Sequence, residues 1–135
     1  MASILKVDEL QGIVSAGDIT VTSEGGSATQ SLQQGLCKSW SKITGPSTFV
    51  LEDSLNVSTL TDVGTGDYQV TYTNAMTSAQ YGENGCSNNG GTNQRRFASM
   101  NSTRSASSSN MASYNNAGGI VDAEDFTTFA HGDLA

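Results

Sequence analysis

Apolar residues in this chain recur at every second position over short runs, and no stretch sustains the 3.6-residue spacing of an amphipathic helix. The clearest run places Tyr68, Val70 and Tyr72 on one face and Gln69, Thr71 and Thr73 on the other. Leu36–Ile43 alternates too, with Leu36 and Trp40 on one side and Cys37 and Ile43 on the opposite side. Gly45-Pro46 marks a turn, and Thr48–Leu51 follows as a short apolar strand. Leu55–Asp62 and Tyr68–Thr73 flank the turn-rich Val63–Asp67, which predicts a β-hairpin. Arg95–Met100, Ile120-Val121 and Phe126–Ala130 supply further strands. The Gly/Asn-rich stretch 82–94 and the Ser/Asn-rich stretch 101–116 are expected as exposed polar loops. The pattern predicts an all-β fold: short N-terminal stem strands, then a small antiparallel β-sandwich.

The first 35 residues differ from the rest. Their apolar clusters are cut by Gly12, Gly17, Gly25, Gly26 and Gly35, and Asp18–Thr22 alternates like a strand. A helix over Asp8–Val14 would be short at best, because Gly12 and the β-branched Ile13-Val14 oppose it. Strands this brief close no core. Ile4, Leu5, Val7, Leu10, Ile19 and Val21 are therefore expected to form an attachment stem that packs on copies of itself or on a neighbouring protein. The expected division is a stem over residues 1–35 and a sandwich over 36–135.

Composition adds a reason for association. Only 36% of the 135 residues are hydrophobic, 7% aromatic and 14% charged. Ser, Thr, Asn and Gly make up roughly two-fifths of the chain, far above ordinary usage. A single copy would have a thin core, and small cores gain from burial between chains. Thirteen acidic against six basic side chains give a formal charge of -7. That balance opposes nucleic-acid binding, which needs a basic face. No apolar run approaches a membrane span and the N-terminus has no signal-peptide core, so a protein made in the cytoplasm and not inserted in a membrane is expected. Two cysteines, Cys37 and Cys86, are too few for a disulfide framework or a structural zinc site. They are expected as buried or partly buried thiols.

Candidate chemistry is sparse. The single histidine, His131, reads as a strand-end or loop residue; three copies converging on an axis would let it hold an ion. The acidic pairs Asp8-Glu9, Glu52-Asp53 and Glu124-Asp125 put neighbouring side chains on opposite faces of an extended chain, which does not build a two-carboxylate site. Asp62–Asp67 lacks the ligand ladder of a calcium loop, and its glycines suit a hairpin turn. Arg95, Arg96 and Arg104 hold half of the basic charge, suited to an anionic glycan or to acidic groups nearby. With Tyr81, Asn88, Asn89 and Tyr114 they form the candidate receptor-contact set, since polar loops with tyrosine are adaptable recognition surfaces. No catalytic residues, metal or cofactor are expected.

Several segments resemble a β-rich module of tail fibres and other appendages of tailed phages, especially marine ones. The opening SILKVDELQG and the strand-like GDITVTSEGG are similar to the start of such fibres. More specific are Trp40, Ser54 to Ser58, Asp62 through Val70 and Ala75-Met76 within the central stretch, which resembles the module's aromatic strand and its hairpin. RRFASMN and VDAEDFTTFAHGD look like its last two strands. The resemblance implies a β-rich knob on a short stem, commonly a homotrimer, in a structural protein on the tail or capsid exterior. Its expected partners are sister chains, other virion proteins through residues 1–35, and a host-surface glycan or protein. Host attachment without catalysis is the leading expectation. A capsid decoration protein that stabilises the shell is the alternative, and a small polysaccharide depolymerase a remote one.

Overall fold

The computed structural model describes residues 5–12, 19–23, 25–46, 48–88, 97–100 and 104–135. The chain divides into two compact units, Met1–Leu36 and Cys37–Ala135. In the first, β1 (Thr20–Thr22) pairs antiparallel with β2 (Thr29–Ser31), and a single helical turn, α1 (Leu32–Gly35), follows. The Ser31 hydroxyl caps that turn by accepting from the Gln34 N–H. Residues 8–12 form neither helix nor strand. Of the expected Asp18–Thr22 strand, Thr20–Thr22 form β1; Ile4, Ile13, Val14 and Asp18 lie outside the described residues.

The second unit is all-β, two four-stranded antiparallel sheets packed face to face. One sheet runs β4 (Val50–Leu55), β3 (Ser39–Thr44), β10 (Asp125–His131), β7 (Gly82–Asn88). The other runs β5 (Val57–Gly64), β6 (Asp67–Tyr72), β9 (Ser108–Tyr114), β8 (Phe97–Met100). Hairpins join β3 to β4, β5 to β6 and β8 to β9, while the other connections cross between the sheets. The predicted hairpin is present: Gly64 opposes Asp67 across Thr65-Gly66, and Gly66 takes the left-handed conformation that the turn needs (φ 64°). Its backbone is fastened on two sides: Gly66 N–H donates to Asp122 Oδ1 of the segment before β10 at 2.6 Å, and Gly66 C=O accepts from Ser113 N–H of β9 at 2.8 Å.

Alternation decides what is inside. Tyr68, Val70 and Tyr72 of β6 are buried, as are Ile43 of β3, Met111 of β9 and Phe126 and Ala130 of β10. Tyr68 meets Phe49 and Phe126 edge to face, with ring centroids 4.4 and 4.8 Å away. Between these apolar residues lie buried hydroxyls, two pairs of which bond each other: Ser41 with Thr128 at 2.7 Å, and Ser113 with Ser87 at 3.2 Å across the sheets.

Two expectations are overturned. Residues 82–88 are not a loop but strand β7, paired along its whole length with β10. Its inward positions are Glu83, Gly85 and Ser87, so the alternation is one of size and hydrogen bonding and not of hydropathy. Likewise Ser108–Tyr114, inside the supposed polar loop 101–116, is an internal strand with five consecutive buried residues. Long-range pairing overrode local composition in both segments.

Candidate functional site

The sandwich has two ends. At the proximal end the chain enters β3 from Cys37, Asn56 links β4 to β5, and residues 73–81 link β6 to β7; residues near the C-terminus pair there with Ala75 and Met76. At the distal end lie residues 45–46 and 48–49, the turn at Thr65-Gly66 and the segment 115–124. The candidate receptor-contact residues split between these ends. Asn88 and Tyr114 close β7 and β9 distally, while Tyr81 and Arg104 lie proximally. Asn89, Arg95 and Arg96 fall outside the described residues. No single site gathers the described members of the set.

Tyr81 is not a surface contact. It is 4% exposed, its ring packs edge to face on Tyr72, and its hydroxyl donates to the Ser108 carbonyl at 3.1 Å. Arg104 is half-buried with its guanidinium 5.0 Å from the centre of the Tyr81 ring, a cation–π contact. Glu83 completes this cluster by accepting from the Ser109 hydroxyl. Burial raises the Glu83 carboxyl above its ordinary value, and the Ser109 bond and the nearby Arg104 charge only partly offset it. Burial also pushes the Tyr72 phenol far upward and the Tyr81 phenol upward. The cluster is a polar plug in the core. Sequence reading missed it because Tyr81 and Glu83 sit in a stretch rich in Gly and Asn.

An open cleft of about 520 Å³ lies between the edge strands β4 and β5, lined by Thr48, Phe49, Leu51, Ser58, Thr59, Leu60 and Asp62. That volume lies within the range of ligand pockets. Both strands carry register slips against their partners in the sheet. Glu52 is an extra residue in β4, and Ser58 and Val63 are extra residues in β5. Such bulges bend edge strands and twist them away from continuous pairing. Phe49, Leu51 and Leu60 are only partly buried against the core. Only Thr48–Leu51 and Leu55–Asp62 as strands were legible beforehand; that they would face each other across a gap was not.

The remaining chemistry is dispersed. His131 ends β10 and is exposed. Asp125 pairs with Lys42 on the outer face of the sheet, and Glu52 accepts from the Thr44 hydroxyl at 2.5 Å. Both cysteines are free: Cys37 is half-buried, and Cys86, expected to be sheltered, is exposed because it takes an outward position on β7. Among the described residues no group of three His, Cys, Asp or Glu side chains gathers as a metal site, and no helix is long and apolar enough to cross a membrane. Comparison with protein-family descriptions, characterised proteins and solved structures gives no match.

Proposed function

We propose that this chain is a structural protein of a virion surface, held in a multi-chain and commonly trimeric assembly through its first unit, and that it binds a host surface without catalysis. The sequence resemblance to phage appendage modules suggests the class. The observation that carries the reading is the polarity of the sandwich. The chain is fed in at the proximal end, and the distal end is left to turns and to the glycine- and asparagine-rich segment 115–119. In such a protein several equivalent distal ends would act together, raising a weak single-site affinity through effective concentration.

The test has two parts. Light scattering after size exclusion should give three chain masses for the full-length protein, and a stable single chain would overturn the assembly. Gold-labelled antibody on intact particles should mark the tail, and soluble protein should compete with particles for host cells. Label over the head would favour shell decoration instead, and the absence of label and of competition would sink the virion reading.

A further inference from the structure

The β4–β5 cleft has an apolar floor and an acidic margin. Phe49, Leu51 and Leu60 form the floor and Asp62 stands in the lining, while the exposed Glu52 and Asp53 belong to β4; neither strand carries Lys or Arg. Its complement is a short apolar segment with a cation set among its apolar residues. The first unit contains one. Leu5, Val7 and Leu10 are 77%, 51% and 56% exposed, with Lys6 between the first two. Among the described residues Lys38 is buried, Lys42 is paired with Asp125 and Arg104 lies over Tyr81, which leaves Lys6 as the exposed cation. The first unit thus presents an exposed apolar segment and the second an open apolar cleft, each of the kind that marks an interaction surface.

We propose that residues 5–10 of one copy dock into the β4–β5 cleft of a second copy. Leu5 and Val7, on one side of an extended segment, cover Phe49, Leu51 and Leu60, and the long Lys6 side chain reaches Asp62 at the margin. The bulges at Glu52, Ser58 and Val63 interrupt both strand edges, so the segment is held by its side chains and not as a continuous added strand. This inference rests on the multi-chain reading above and names the contact that builds the assembly.

Two full-length variants test it, Val7→Cys and Thr59→Cys, each in a Cys37→Ser/Cys86→Ser background and co-expressed with different tags. Each chain then holds one thiol, so a link between positions 7 and 59 is necessarily between copies. Mild oxidation should give that mixed link, identified by mass spectrometry, and Leu60→Asp added to the Thr59→Cys chain should reduce its yield at least tenfold. A second measurement avoids the cysteine background: a fluorescent peptide of residues 3–12 should bind the wild-type chain saturably and bind a folded Leu60→Asp chain at least tenfold more weakly. Multimers by light scattering without the link and without peptide binding would overturn this docking and leave the multi-chain reading standing. Single chains throughout would overturn both.

Discussion

Asn56 and Asn74 hold each other in place at the proximal end of the sandwich. Asn56 Oδ1 accepts from the Asn74 N–H at 2.7 Å, and Asn56 Nδ2 donates to the Asn74 carbonyl at 3.0 Å. Asn56 is also the single residue that carries the chain from one sheet to the other, and it does so with φ at 58°. Asparagine tolerates that conformation better than most side chains. Asn56→Ala loses both bonds and strains the backbone, so it should cost about 2–4 kcal/mol. Asn56→Gly loses the bonds alone and should cost about half as much. Urea unfolding of the two variants checks the order; equal losses would show that the conformation is not what asparagine supplies here.

That corner illustrates how far the sequence could be read. The hairpin around Thr65-Gly66 and the inward face Tyr68, Val70, Tyr72 were legible because hydropathy alternates there and glycine marks the turn. β7 and β9 were not, because all their inward positions but Met111 are filled by Glu83, Gly85, Ser87, Ser109 and Ser113. These residues look like loop composition until a partner strand is set against them. For the same reason Tyr81 passed for a recognition residue, although its hydroxyl and ring are spent inside the core. The cleft lies between edge strands of two different sheets that only the fold brings together, and no local pattern announces that.

Gly85 makes the point testable. A Cβ there would lie 2.8 Å from the Thr127 carbonyl oxygen and 2.9 Å from Met111 Cε. The backbone contact cannot be relieved by a rotamer change, so Gly85→Val should cost about 2 kcal/mol or more through overpacking. Thermal unfolding measures it. A neutral effect would mean that β7 at Gly85 stands farther from the β10 backbone at Thr127 than the structure places it.

Neighbouring aromatics on β10 should respond in opposite ways. Phe126 is 1% exposed and packs on Tyr68, whereas Phe129 is 43% exposed on the outer face beside Trp40. Phe126→Ala should cost about 3–5 kcal/mol by opening a cavity. Phe129→Ser should cost under about 1 kcal/mol in a single copy, the scale of one cross-strand pair. Denaturant midpoints of the two variants give the comparison, and a reversal would invert the assigned faces of the strand.

The buried cluster predicts two separate pH windows. The Glu83 carboxyl is raised in the folded chain, so folding favours its protonated form. Between its unfolded value near 4.5 and the higher folded value, the folded state binds more protons than the unfolded one. The Glu83 contribution is therefore greatest at acid pH, declines as pH rises through that window, and is constant above it. Glu83→Gln keeps an acceptor for Ser109 without a charge, so it should match the wild type near pH 4 and unfold at a higher temperature near pH 7. A pH-independent gap between the two proteins would count against a buried carboxylate. In the alkaline window, Tyr72 and Tyr81 are both raised above 10, so the unfolded chain releases their protons first and stability falls as pH climbs past 10. Their phenolate absorbance should appear only together with the loss of the folded circular dichroism signal. Tyr72→Phe should remove part of that cooperative step, and smooth ionisation of both phenols in a still-folded chain would show that the plug is open to solvent.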